Sequence, residues 1–210
     1  FARWTVKAHG HEVRTFRREL RDTFRRIEAQ PMYNLANDLA LSMLGDIVQG
    51  NYSPVARINA MLAIGELVVA EPARSTEKAV PLARALPLML QVYGDANQMD
   101  GLRLAAAIGI LRHVTLGIAD AQVRDVQVLP VMLNVAKSDE IPPGRSADGH
   151  AWFRVLALDT LAALAVAGQQ GEVANALKDV AGDPECPLWV RCATARCLGQ
   201  LDYSDPPGMD

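Results

Sequence analysis

The chain has 210 residues, of which 50% are hydrophobic, 21% charged and 5% aromatic, and its formal net charge is −3. This composition excludes a disordered or fibrous chain, and its abundant leucine and alanine favour closely packed helices over a sheet. No apolar stretch approaches the roughly 20 residues that cross a bilayer, and residues 1–12 lack the apolar middle of a secretory signal, so we expect a cytoplasmic protein.

The first predicted element is a basic amphipathic helix within residues 1–30. Its apolar residues recur at spacings of three and four, at Val13, Phe16, Leu20, Phe24 and Ile27, with arginines around them. We expect this helix to cap the first repeat of the fold. Binding to a membrane surface or to phosphates is the alternative for this segment alone, because the acidic remainder of the chain disfavours nucleic acid.

Four helical hairpins are predicted next, over residues 31–203, followed by a flexible tail at residues 204–210. The first helix of each hairpin, helix A, is predicted at residues 33–48, 79–93, 123–136 and 172–180. The second, helix B, is predicted at residues 54–67, 102–114, 152–164 and 188–201. Pro87 and Pro130 fall inside helix A, where we expect them to bend the axis. Residues 139–149 are predicted to form a loop that lengthens the third hairpin.

Two recurrences support a repeat. Four arginines align at spacings of 46, 51 and 37 residues, namely Arg57, Arg103, Arg154 and Arg191. The same alignment superposes the apolar positions Ile64, Ile110, Leu161 and Leu198. In addition, residues 86–92 match residues 129–135 position for position. The mean spacing of about 45 residues lies in the range that is typical of two-helix repeats.

These residues resemble the HEAT-repeat family, whose second helices follow the pattern V-R-x-x-A-x-x-A-L-G-x-L. The resemblance covers residues 34–202 and is closest at Ile64-Gly65-x-Leu67 and Leu198-Gly199-x-Leu201. It implies an all-α fold, a right-handed α-α superhelix of about four helical hairpins. It also implies a structural role for the aligned arginines, which would pair with acids in the turns: Asp95, Asp100, Asp183 and Glu185.

The family pattern also leaves three positions on each helix B outside the core, along the concave wall of the superhelix. Several of them are aliphatic and would be costly to leave in water, which predicts a groove for a partner helix or peptide. The alternative is that the N-terminal segment or a neighbouring subunit covers the same stripe. The residues predicted to bind the partner, here called the predicted docking face, are Ile58, Leu62, Glu66, Leu104, Ile108, Arg112, Val155, Asp159 and Arg196.

The sequence predicts no catalytic residue, no metal site and no cofactor. It contains no glycine-rich phosphate loop and no G-x-S-x-G motif. The histidines of residues 9–12 lack the helical spacing of a zinc site, and no repeat holds the His–Glu pair by which some HEAT-like enzymes bind iron. Three cysteines, Cys186, Cys192 and Cys197, lack the spacing of a zinc site and fit a reducing compartment.

We therefore expect a non-catalytic scaffold that binds a protein or peptide and is part of a larger chain or assembly. Nucleic acid is disfavoured as a partner, and a membrane surface would be reached through the N-terminal helix alone. The competing interpretation is a HEAT-like enzyme or nucleic-acid-binding protein, resembling the DNA glycosylases or bilin lyases that share this architecture.

Overall fold

A computed structural model describes residues 1–70, 72, 76–118, 120–168 and 170–204, apart from the side chain of Lys7. Over these residues the fold is all-helical, as predicted, and β-structure is limited to two isolated bridges. The α-helices are α1 Val13–Phe24, α2 Gln30–Gln49, α3 Pro54–Glu66, α4 Leu86–Gly94, α5 Asp100–Leu116, α6 Leu129–Lys137, α7 Ala147–Leu164, α8 Glu172–Gly182 and α9 Leu188–Leu198. None of the helices in this described part combines the length and apolarity needed to cross a membrane. The tail predicted at residues 204–210 lies outside the described residues, except for Ser204.

The helices after α1 form four hairpins in two compact units. The first unit, Phe1–Gly117, contains α1 and the hairpins α2–α3 and α4–α5, and α3 packs against α5. The second unit, Ile118–Asp210, contains the hairpins α6–α7 and α8–α9, with α6 against α8 and α7 against α9. Within each unit, therefore, two hairpins are held together by contact between their second helices.

The first helix of the second hairpin, α4, begins at Leu86 and not at residue 79 as predicted. Residues 79–82 are extended, because the N–H of Val69 donates to the carbonyl of Val80 at 2.8 Å and that of Leu82 to the carbonyl of Leu67 at 3.0 Å. A short 3-10 turn, Ala83–Ala85, then leads into α4. Pro87 consequently lies in the first turn of α4, where its missing N–H costs nothing, and does not bend the middle of a helix.

The helix predicted over residues 123–136 is confirmed, because residues 121–137 are helical throughout and the π-helical segment Val123–Val128 leads directly into α6. Pro130 lies within this run, just after the π-helical segment, a geometry that often occurs where the helical hydrogen-bond ladder is interrupted. The predicted loop of residues 139–149 ends three residues early, because α7 begins at Ala147. Ser146 is its N-cap, and the hydroxyl oxygen accepts a hydrogen bond from the N–H of Gly149 at 3.1 Å.

Two buried glycines allow α3 and α5 to pack closely. A Cβ atom added at Gly65 would lie 2.7 Å from the Cα of Gly109, closer than Cβ atoms approach a neighbouring backbone. The sulfur of Met89 fills the space beside both glycines. The contact between the two hairpins of the first unit therefore depends on the absence of a side chain at Gly65.

Gly65→Ala is expected to lower the free energy of unfolding by about 1 to 3 kcal/mol, because the helices must move apart to admit the methyl group. This loss exceeds the gain of about 1 kcal/mol that alanine brings to a helix interior. Urea unfolding followed by circular dichroism measures the difference. Gly94→Ala is the matched control, since a Cβ there meets no atom within 4 Å and should leave stability unchanged or raised. Equal destabilisation by the two substitutions would contradict the close approach.

Candidate docking cleft

The four aligned arginines occupy one structural position in the four hairpins. In each hairpin the arginine Nε donates to the backbone carbonyl of the last residue but one of the preceding helix A. The bonds are Arg57 to Val48 at 2.8 Å, Arg103 to Tyr93 at 2.9 Å, Arg154 to Ala136 at 3.0 Å and Arg191 to Ala181 at 3.0 Å. The guanidinium thus satisfies a carbonyl group that the end of a helix leaves without an intrahelical partner.

Two of the acids predicted to pair with the arginines accept hydrogen bonds within their own turns. Asp95 accepts a hydrogen bond from the N–H of Asn97 at 2.9 Å, and Asp183 accepts one from the N–H of Glu185 at 2.9 Å. The bond from Asn97 is the main reason that the pKa of Asp95 lies below its usual value, and the charge of Arg103 is a smaller cause. Arg191 forms no ion pair with Asp183 or Glu185 among the described residues, and its Nε donates to the carbonyl of Ala181 at the end of a helix instead.

The predicted docking face lies on α3, α5, α7 and α9, and all nine of its residues are half-buried or exposed. The face is divided between the units. The first unit carries Ile58, Leu62, Glu66, Leu104, Ile108 and Arg112, and the second carries Val155, Asp159 and Arg196. In the second unit Asp159 of α7 and Arg196 of α9 form an ion pair, so these two residues connect neighbouring hairpins.

Part of the face in the first unit lines a cleft of about 360 Å³. Leu62 of α3 and Ile108 of α5 supply aliphatic surface, and Glu66 and Arg112 stand on the same two helices. Ile108 leaves 46% of its surface exposed. The structure therefore brings four of the predicted residues together around one concavity.

Helix α1 covers the neighbouring part of the face. Its buried Phe24 contacts the ring of Tyr33 in α2, edge to face, with ring centroids 5.2 Å apart. The Nε of Arg17 lies 3.7 Å from a carboxylate oxygen of Glu66. The N-terminal helix thus packs on the first hairpin and covers the Glu66 end of the stripe, while Leu62 and Ile108 still line the cleft.

The edge of the cleft is rich in guanidinium groups. Among its described lining residues, Arg21, Arg25 and Arg112 are opposed by the carboxylate of Glu66 alone. Arg112 donates to the carbonyl of Gly65 at 3.0 Å, and Arg25 lies 3.7 Å from Asp22. The guanidinium of Arg21 forms no hydrogen bond or ion pair within the described part of the chain. An apolar floor with a positive edge suits an occupant that carries both apolar side chains and carboxylates.

Arg21 and Arg25 were not predicted to line the docking face and belong to the arginines that surround the apolar residues of the N-terminal helix. A usable signal was present, because Arg17, Arg21 and Arg25 follow one another at a spacing of four residues and therefore form one stripe. Which surface that stripe borders depends on the packing of α1 against α3, which the local pattern does not show.

Two buried groups lie outside this arrangement. Burial raises the pKa of the Cys197 thiol to about 11, which keeps it protonated and unreactive at neutral pH. Burial, assisted by the charge of Arg112, lowers the pKa of His113 to about 4. The described residues include no cluster of three or more histidine, cysteine, aspartate or glutamate side chains able to hold a metal ion.

Comparisons of the chain with protein-family models, with curated proteins and with solved structures find no match. The resemblance to HEAT repeats therefore rests on the aligned residues and on the hairpins themselves. The repeated hydrogen bond from arginine to a helix end is the structural feature that recurs in all four hairpins.

Proposed function

We propose that this chain is a non-catalytic interaction module that binds a helix or peptide of a partner protein in the cleft between α1, α3 and α5. The observation that carries the proposal is the combination of aliphatic side chains, half-buried Leu62 and exposed Ile108, with guanidinium groups in one concavity. Apolar surface in a cleft gains free energy when it is covered, and arginine is enriched at binding hot spots.

The proposed scaffold is a HEAT-like, right-handed α-α superhelix in the cytoplasm. The hairpins, the shared position of the four arginines and the stacking of second helices within each unit support the HEAT-like repeat. The free thiols of Cys186, Cys192 and Cys197 are consistent with a reducing compartment. The handedness and the continuity of the superhelix are parts of the proposal.

The charge of the cleft determines the kind of partner. A segment with an apolar side chain for Leu62 and Ile108, flanked by aspartate or glutamate, would complement Arg21 and Arg112. A nucleic acid would supply phosphates, but its polar backbone would leave the aliphatic floor of the cleft without a partner. An acidic amphipathic peptide is therefore the occupant that the cleft favours.

The test uses short random peptides displayed on phage and selected on the immobilised full chain. The selected peptides should be rich in acidic and apolar residues, and Arg21→Glu and Ile108→Glu should each weaken their binding about tenfold or more. Fluorescence anisotropy with a labelled selected peptide measures the affinity. Both substitutions are at exposed side chains, so the variants should fold.

The controls make the same chemical changes away from the cleft. Arg18→Glu reverses a charge on α1, and Leu39→Glu adds a carboxylate to the exposed face of α2. Both should leave the affinity unchanged. Failure to select any peptide that is sensitive to Ile108→Glu would contradict the proposal. Tight binding to duplex DNA, weakened equally by Arg18→Glu and Arg21→Glu, would favour a nucleic-acid partner instead.

A further inference from the structure

The second unit exposes two tryptophans at equivalent positions of its two hairpins. Trp152 of α7 is 56% exposed, Trp189 of α9 is 41% exposed, and Leu188 beside it is 69% exposed. Each tryptophan lies two residues before an aligned arginine, Arg154 or Arg191, which fixes its helix to the end of the preceding one. Because α7 packs against α9 and the two arginines make equivalent bonds, we expect both indoles to lie on the same edge of this unit.

This edge has the dimensions of an extended peptide. Helices in contact lie roughly 8 to 10 Å apart, and an extended chain advances about 3.3 Å per residue. Side chains about three residues apart in one bound segment could therefore reach both indoles. An aromatic side chain of this size contributes about 150 to 250 Å² of surface when it is covered, and tryptophan is enriched at binding hot spots.

The charge of the edge is negative. An exposed acid lies four residues before each tryptophan in the sequence: Asp148, within α7, before Trp152, and Glu185, in the turn that precedes α9, before Trp189. Asp148 belongs to the first turn of α7, where a spacing of four places it beside Trp152 on the helix surface. The exposed residues Asp139 and Glu140, in the segment before α7, add further negative charge.

Most of the cationic side chains at this edge already interact with other groups of the protein. Arg154 and Arg191 are directed to helix ends, and the guanidinium of Arg145 lies over the ring of Phe153, 4.1 Å from its centroid. Lys137 is exposed at the end of α6. The exposed acids therefore outweigh the cations that are free to offset them, and the edge attracts positive charge.

We propose that Trp152 and Trp189, with Asp148 and Glu185, form a second docking surface, which binds an extended arginine- or lysine-bearing segment of another protein. The cationic side chains would lie over the indole faces and pair with the carboxylates, an arrangement in which cation–π attraction and charge act together. This surface lies in the other unit from the cleft, has the opposite charge and does not depend on the function proposed for the cleft.

Intrinsic fluorescence provides a direct test, because Trp4, the other tryptophan of the chain, is buried and 5% exposed. Titration of the full chain with an arginine–glycine repeat peptide should give a saturable change in tryptophan emission. A glutamate–glycine repeat peptide should give none. Binding monitored through a label on the arginine peptide should weaken about tenfold or more in Trp152→Ala, Trp189→Ala and Glu185→Lys.

Matched variants separate this surface from general attraction to an acidic protein. Val126→Ala shortens another exposed apolar side chain of the same unit, and Asp179→Lys makes the same charge change as Glu185→Lys on α8. Both should bind as the wild type does. Trp152→Phe should bind more tightly than Trp152→Ala, since a phenyl ring retains a weaker cation–π interaction. Absence of saturation, or equal weakening by Asp179→Lys and Glu185→Lys, would overturn the proposal. The cleft variant Arg21→Glu should leave this binding unchanged.

Discussion

Arg154→Ala is expected to lower the free energy of unfolding by about 3 kcal/mol. The side chain is 4% exposed, and its Nε donates to the carbonyl of Ala136 at 3.0 Å. The substitution leaves that carbonyl at the end of α6 without its donor, and a hydrogen bond to a charged group contributes about 1.5 to 3 kcal/mol. The loss of the packed aliphatic stem adds to this cost. Urea unfolding followed by far-ultraviolet circular dichroism measures the change.

Alanine substitutions of the other aligned arginines should lower the stability by different amounts, according to how deeply each arginine is buried. Arg103 is 8% exposed and should behave like Arg154, whereas Arg57 and Arg191 are half-buried and should cost less when replaced by alanine. Arg154→Lys keeps the charge but lacks the Nε donor, so it should not restore the stability. Arg103→Ala should lower stability without changing the affinity of the cleft for a selected peptide. Unchanged stability together with lost peptide binding would assign these arginines to the binding site instead.

The aligned arginines explain why the helices were predictable from the sequence. Arg57, Arg103 and Arg191 each lie three residues after the start of a second helix, Arg154 lies seven residues after the start of α7, and apolar residues at helical spacing follow all four. A repeated pattern reinforces each local prediction. The start of α4 was missed because the bonds that keep residues 79–82 extended come from Leu67 and Val69, a non-local contact. The start of α7 was also missed, but it could have been predicted from the sequence, since Ser146 followed by Asp148 is typical of a helix N-terminus.

The site was predictable to the extent that it lies on one helix face. The spacing of four along α3 and α5 identified Leu62, Glu66, Ile108 and Arg112, which all line the cleft. The arginines contributed by α1 were not identified, because their position depends on tertiary packing. The same limit applies to Trp152 and its equivalent, since their exposure follows from how each helix is held, and the apolar character of the residue type favours burial.

His113→Met is expected to remove an acid sensitivity of about 3 kcal/mol from the folded protein. His113 of α5 is completely buried, and neither ring nitrogen has a hydrogen-bond partner among the described residues. Burial is the main cause that lowers its pKa from 6.5 to about 4, and the charge of Arg112 is the second. The imidazole is therefore neutral in the fold, and protonation favours the unfolded chain.

The direction in which stability changes with pH depends on whether the folded or the unfolded chain binds the proton. Above pH 6.5 both states are neutral at this residue, and between pH 6.5 and about 4 the unfolded chain binds a proton that the folded chain does not. The free energy of unfolding therefore falls as the pH falls through this window, by about 1.4 kcal/mol per pH unit at most. Carboxylates titrate in the same range, so the informative quantity is the difference in the free energy of unfolding between the wild type and His113→Met, measured at each pH.

At pH 7 the His113→Met variant should be as stable as the wild type or more so, because methionine fills the space without an unpaired polar group. If the free energies of unfolding of the two proteins change equally between pH 7 and 4, His113 takes up its proton equally in the folded and unfolded states. That result would contradict the prediction.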